Sequence, residues 1–277
     1  MDILQLLIWP SLACLVLTGI HVYLGLHIVA RGVIFVDLSL AQVAALGTTA
    51  AFLAGFQLHT PASYLFSLTF ALLGAAAFSF ARRWESKVPQ EAVIGIVYAV
   101  SSALAILIMD RSPEGSEHVK YILVGNLIGV SRAEVLKMAA LYAAVGVLHW
   151  LWRKPFFLIS NKPKEAEASG MRVRWWDFLF YATFGVVVTS SVEIAGVLLV
   201  FSYLIIPAVF SMLFFDSTRA RLASGWALGT GVSVAAMAAS YHYDTPTGAT
   251  IICVFGAALA LAGMLSLLLE RPGPAAR

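Results

Sequence analysis

Long apolar runs recur about once every thirty positions along this chain, and that recurrence decides which solvent it can fold in. The runs lie at about 3–27, 34–57, 60–81, 90–110, 133–153, 175–191, 193–215, 219–240 and 246–269. Each approaches the roughly 20 apolar residues that a helix needs to cross the hydrocarbon of a bilayer. Only a helix or a closed barrel satisfies its backbone polar groups there, and runs of this length read as helices. Hydrophobic residues are 60% of the chain and charged residues 12%, too little polar surface for a soluble domain of 277 residues. The expected fold is all-α, a polytopic transmembrane helical bundle forming one domain over 1–277. The sixth run is short and the second opens on an acid, Asp37. Eight spans with one broken or re-entrant segment therefore stand beside nine.

The polar breaks give the orientation. With the first span running from outside to inside, the inner loops hold Arg31, Arg82, Arg83, Lys87, Arg153, Lys154, Lys162, Lys164, Arg172, Arg174, Arg219, Arg221, Arg271 and Arg277. That is 14 of the 18 basic residues, against Arg111, Lys120, Arg132 and Lys137 outside. Basic residues accumulate on the cytoplasmic side of membrane proteins. The expectation is a multi-pass protein of a bacterial-type cytoplasmic (inner) membrane, N-terminus outside and C-terminus cytoplasmic. The first run has no basic residue before it and is too long for the core of a cleaved signal peptide. The formal charge of +3 belongs to the inner loops and marks no nucleic-acid surface. Cys14 and Cys253 both lie in apolar runs, without metal-ligand spacing, and read as small core residues.

The longest polar stretch, about 153–175, has room for one short helix. Pro163, Glu165 and Glu167 followed by Ser169-Gly170 give start and stop signals for about two turns near 161–171. So short a helix is unstable alone in water and needs a dock. Two docks are open: a cytoplasmic partner, or the lipid headgroups. Asp37 stands in Phe35-Val36-Asp37-Leu38-Ser39-Leu40-Ala41-Gln42. Its readings are a residue on an ion or substrate path, or a helix-start acid paired with Arg31, about 9 Å away along a helix. Asp177, directly behind Trp175-Trp176, and Glu91 read as helix-start acids, and Glu193 as a solvated turn residue near the outer face. The six histidines are scattered, with no i+3 or i+4 pair, so they read as bundle residues. The run Val119–Val130, with Gly125-Asn126, is too short to span and suits a re-entrant or surface helix outside. No Gly-Lys pair occurs, so a Walker-type phosphate loop is absent and any ATP hydrolysis belongs to another chain.

In order along the chain, Arg31-Gly32-Val33-Ile34-Phe35-Val36-Asp37, Glu91-Ala92-Val93-Ile94-Gly95-Ile96-Val97, Tyr121 to Ser131, and Gly196-Val197-Leu198-Leu199-Val200 with Leu204-Ile205-Ile206-Pro207-Ala208 form four motifs. Together they resemble the permease subunit of the zinc/manganese/iron ABC transporter family over nearly the whole chain. The resemblance implies a cobalamin-importer-like homodimeric permease, two cytoplasmic ATPase subunits that bind the ATP and Mg, and an extracytoplasmic metal-binding protein. It implies no cofactor in this chain and no nucleic-acid partner. It makes 161–171 a coupling helix, with Lys164, Glu165, Glu167, Ser169 and Gly170 facing the ATPase. It places Asp37, Ser39 and Gln42 on the substrate path, with Asp37 and Gln42 as metal ligands. The family carries His four residues after the signature Asp, whereas here Ala41 is at that position and Gln42 follows. A one-residue insertion makes Gln42 the counterpart, an amide oxygen in place of an imidazole nitrogen. In a regular helix, five residues rotate Gln42 about 140° away from Asp37, so the pairing predicts a π-bulge. Two rival functions are a secondary carrier, which predicts inverted repeats with paired broken helices, and an ABC permease for a non-metal substrate.

Overall fold

The computed structural model describes residues 3–57, 60–84, 86–110, 125 and 127–269. Among them there are helices and no strands: α1 (Ile3–Arg31), α2 (Val36–Leu53), α3 (Pro61–Ala81), α4 (Gln90–Met109), α5 (Arg132–Leu151), α6 (Arg153–Asn161), α7 (Pro163–Ala168), α8 (Val173–Ala195), α9 (Val197–Phe214), α10 (Thr218–Tyr243) and α11 (Thr247–Leu269). Single 3-10 turns lie at Arg82–Trp84 and Leu127–Gly129. Nine of the described helices, all but α6 and α7, are long and apolar enough to cross a membrane. Among the described residues the candidates thus number nine, the larger of the two expected counts. The sixth candidate span is α8, 23 residues long rather than short, because Ser191 near its polar C-terminal end is buried in the bundle.

Local sequence sets several of these boundaries. α3 and α5 open on capping boxes, Thr60 with Ser63 and Ser131 with Glu134, which satisfy helix-start N–H groups. Gly196, at φ +76, separates α8 from α9 with no intervening residue. The polar stretch after α5 holds two short helices where sequence allowed one. The apolar Phe156 and Ile159 are buried, so the first part of that polar stretch forms α6.

The packing brings α1 against α9 and α10, α2 against α3 and α4, and α3 against α8, while α9, α10 and α11 pack on one another. Small residues make the seams. A Cβ on Gly25 would lie 1.9 Å from the Leu204 carbonyl oxygen of α9, and one on Gly225 would lie 2.5 Å from Val22 Cγ1. Gly47 of α2 meets Phe66 and Ser67 of α3 in the same way. Backbones this close gain dispersion contact without needing water to drive them together. The interior is aromatic, with Phe78, Phe156, Phe180, Tyr181, Phe184 and Tyr203 fully buried. Outward faces are aliphatic, including Ile96, Ile106 and Leu107 on α4 and Leu265 and Leu268 on α11. Such an exterior suits lipid or a neighbouring apolar subunit. Cys14 is buried, whereas Cys253 is exposed on this exterior rather than in the core.

Of the run 119–130, residues 119–124 and 126 lie outside the described residues. Gly125 has φ +68, and a Cβ there would stand 2.3 Å from the Ala195 carbonyl carbon. Gly125 is thus pressed onto the α8–α9 junction.

Candidate functional site

The second span begins after a tight reversal. Arg31 ends α1, Gly32 takes a left-handed φ of +68, and Val36 N–H donates to the Val33 carbonyl at 3.2 Å. Phe35 caps α2 without a polar side chain of its own. Its backbone N–H instead donates to Glu91 Oε1 at 3.0 Å. Glu91, in the first turn of α4, therefore also fastens the start of α2.

Asp37 sits in the first turn of α2, 0% exposed. The paired alternative fails: Arg31 donates to Asp177 Oδ1 at 2.6 Å, not to Asp37. Among the described residues neither carboxylate oxygen of Asp37 has a hydrogen-bond partner, and neither does the Oγ of buried Ser39. Gln42 is nearly buried. The three residues expected on the path thus share one short, enclosed stretch of helix. The expected π-bulge is absent, because residues 36–53 form uninterrupted α-helix. Gln42 consequently points about 140° away from Asp37, and it is Ala41 that shares the Asp37 face.

An ionised carboxylate held in apolar surroundings without a partner is costly, about 2.5–3.5 kcal/mol on insertion scales for a mid-membrane acid. The helix start eases that cost through its dipole. A cation arriving at Asp37 would remove most of the remainder. Ser39, two residues past Asp37, and Gln42, five past it, both point away from its face, so the donor there is the carboxylate itself, a hard oxygen ligand of the kind that suits manganese more than zinc.

A second polar cluster closes the end of the bundle that carries α6 and α7. Asp177, fully buried in α8, accepts from Arg31 at 2.6 Å through one oxygen and from Arg82 at 2.7 Å through the other. The helix-start reading of Asp177 is therefore corrected: it joins three helix ends. Ser160 of α6 accepts from Arg31 Nε at 2.9 Å and meets His27 Nδ1 at 2.8 Å. Arg31 also lies over the Phe180 ring, 4.0 Å from its centroid, a contact that favours a guanidinium.

The expected coupling residues lie beside this cluster. α7 spans 163–168, and its Ala166 is buried with Ile159 and Val173 in a small apolar cluster. The short helix thus docks partly on its own chain. Glu165 and Glu167 are each 61% exposed, Glu165 paired with Lys162 at 2.9 Å and Glu167 3.9 Å from Arg82. Lys164 is exposed. Ser169 Oγ donates to the Ala166 carbonyl at 2.7 Å, and Gly170, at φ +74, lets the chain turn towards α8.

Towards the other end, His21, Tyr142 and Ser191 form a buried hydrogen-bonded group between α1, α5 and α8. Beyond it opens a cavity of about 610 Å³ lined by Tyr64, Glu134, Lys137, Ser190 and Glu193, among others. Glu193, expected as a turn residue, is a helical residue facing that cavity. His149 bonds Thr183 at 2.7 Å, so His21, His27 and His149 are each tied into the bundle. The sequence singles out Asp37, Glu91 and Arg31, but the contacts of Arg31, Asp177 and His21 run between distant spans, which no local motif announces.

Comparison with known proteins places this arrangement. The ABC 3 transport family profile matches residues 3–266, and the chain belongs to that family. A curated relative from Haemophilus influenzae named "Probable iron transport system membrane protein" is 27% identical over 251 residues, covering 91% of this chain and 90% of the relative. The "Manganese import system permease protein ScaB" of Streptococcus gordonii is 23% identical over 228 residues, covering 82% and 80%. Among solved structures, PsaBC from Streptococcus pneumoniae in complex with Fab aligns with a TM-score of 0.78 at 21% identity, covering 94% of this chain and 92% of that one. An inward-facing conformation of a metal-chelate type ABC transporter aligns at 0.70 and 20% identity, covering 94% and 88%. The shared fold is that of ABC importer permeases.

Proposed function

We propose that this member of the ABC 3 transport family is the membrane permease of an ATP-driven importer for a divalent metal cation, manganese or ferrous iron ahead of zinc. The observation that carries the reading is Asp37, a fully buried carboxylate without a partner in the second span. In a bundle that otherwise pairs its buried acid Asp177 twice over, an unpaired acid is a place for a passing cation. Relatives named for manganese and iron transport support the class of cargo. The hard carboxylate oxygens of Asp37 favour the harder members of that class. Because Gln42 faces away in a regular helix, its share in the path is as a later contact for the moving cation rather than as a co-ligand with Asp37.

The chain works as a homodimer with two cytoplasmic ATPase subunits, which hold the ATP and Mg, and receives its cargo from an extracytoplasmic binding protein. Its N-terminus is outside and its C-terminus inside, with α6 and α7 in the cytoplasm, a reading that the 14 to 4 division of basic residues supports. Alternating access then carries the cation past Asp37 in steps driven by the ATPases. Uptake into vesicles by the reconstituted complex, with and without ATP, is the test.

Residues 163–170 seat the ATPase. Their acids are solvated, and an exposed pair such as Lys162–Glu165 contributes at most about 1 kcal/mol to the fold. Reversing both charges (Glu165→Lys with Glu167→Lys) should leave insertion and dimer yield unchanged. It should lower co-purified ATPase by about tenfold, the scale on which like charges facing each other at an interface act. Full recovery of ATPase with the doubly reversed permease would place the docking surface elsewhere.

A further inference from the structure

Three elements meet the cytoplasmic helices through one buried carboxylate. Arg31 and Asp177 have side chains only 4% and 1% exposed, and Arg82 is 12% exposed. Each oxygen of Asp177 holds a guanidinium from a different helix end: Arg31 at the end of α1, Arg82 just after α3. Loss of either arginine would leave one oxygen of the buried Asp177 carboxylate without its charged donor, a costly state in a low-dielectric interior. The ends of α1, α3 and α8 are therefore obliged to move together.

Ser160 ties α6 into the same unit. Its Oγ accepts from Arg31 Nε, so its single proton is free to go to His27 Nδ1. His27 and Arg31 are four residues apart, on one face of α1. α7 is fixed to this body by Ala166 against Ile159 and Val173, and Glu167 approaches Arg82 at 3.9 Å. On the far side of Arg31 the chain needs only Gly32 to Val36 to reach Asp37. Gly32 supplies a left-handed turn, and Glu91 pins the Phe35 N–H at the other end. A displacement of α6 and α7 thus has a short, stiff route to the buried acid.

We propose that the bridge Arg31–Asp177–Arg82, with Ser160, is a strut that transmits movement of α6 and α7 to the turn bearing Asp37. The inference rests on the ATP-driven reading above and assigns positioning roles to Arg31, Arg82, Ser160 and Asp177. A strut differs from a staple in what its loss does. A staple lost lowers the amount of folded protein, while a strut lost separates ATP hydrolysis from transport in protein that is still assembled.

The test uses the full complex of permease, ATPases and binding protein in vesicles, with manganese as the probe and all rates taken per assembled complex. In Asp177→Asn, uptake per ATP hydrolysed should fall by about tenfold, the upper part of the range seen when residues along a coupling route are changed. Basal hydrolysis should persist, and Asp177→Glu should restore most of the loss. Ser160→Ala removes one hydroxyl, leaves both ion pairs in place, and should lower uptake per ATP by about threefold with normal assembly. Should Asp177→Asn fail to assemble, Ser160→Ala alone decides. Wild-type uptake per ATP in assembled Ser160→Ala, or in assembled Asp177→Asn, would overturn the strut. A wild-type complex whose uptake ignores ATP would instead overturn the importer reading, and the two failures are read in separate lanes of the same experiment.

Discussion

Gly25→Ala is expected to abolish accumulation of folded permease. An added Cβ would lie 1.9 Å from the Leu204 carbonyl oxygen, 2.9 Å from its carbon and 3.2 Å from Ala208 Cβ. The first two are backbone atoms of α9, so no rotamer change relieves the overlap. α1 and α9 would have to separate, and α10, which packs on both, would lose its seat as well. Overpacking of a well-filled interior costs about 1–3 kcal/mol, and contact with backbone places this substitution at or above the top of that range. That is a large share of the stability of a typical domain. Gly19, on the same helix, is the control, because a Cβ there meets nothing within 4 Å. Gly19→Ala should be neutral or slightly stabilising, since alanine is the better helix former. Comparing detergent-extracted, monodisperse yield and the thermal midpoint of the two variants checks the pair. Equal yields would show that α1 and α9 do not meet at Gly25.

The second large effect is on transport. Asp37→Asn keeps the shape of the side chain and removes its charge. Uptake should fall by about a hundredfold or more, equivalent to about 2.7 kcal/mol of lost stabilisation along the path. Stability should move the other way. A buried charge without a partner opposes folding, and its neutral isostere relieves that cost, so the thermal midpoint of Asp37→Asn should match or exceed that of the wild type. The combination separates a path residue from a structural one. A structural acid, replaced, would lose stability and activity together.

The course of the chain through the membrane was legible because hydropathy is a one-dimensional signal. Runs of apolar residues located the nine candidate spans, with boundaries a few residues off. α8 misread as short because Ser190, Ser191 and Glu193 interrupt the run. In the folded bundle Ser191 is buried and bonded to Tyr142 and to Val187, and Glu193 faces a cavity. A polar residue satisfied from a neighbouring helix carries no mark of it in its own sequence window. α6 has no such mark either: Arg153-Lys154 open a polar stretch in the sequence, although residues 153–161 form a helix that buries Phe156 and Ile159.

The candidate site was half visible. Asp37 stood out as an acid in an apolar run, and its isolation in the structure makes it sharper still. Arg31 is near it in sequence, but the left-handed Gly32 reverses the chain between them, so nearness along the chain did not become contact. The true partner of Arg31 lies 146 positions away and that of Arg82 lies 95 positions away. No spacing rule reaches so far. Asp177 looked like an ordinary helix-start acid because its surroundings, two tryptophans before a span, are those of one. The pairing of Asp37 with Gln42 needed a bulge that α2 does not contain. An insertion inferred from a family pattern shifts register by one residue, and a regular helix converts that shift into a 100° turn of the side chain.

The most direct measurement is manganese accumulation in vesicles reconstituted with the permease, its ATPases and its binding protein, loaded or not with ATP on the ATPase side. Accumulation against a gradient is expected only with hydrolysable ATP and binding protein present, unaffected by collapsing the proton gradient, and lost in Asp37→Asn vesicles holding the same amount of complex. Accumulation without ATP, driven by a proton gradient, would contradict it and make this chain a secondary carrier.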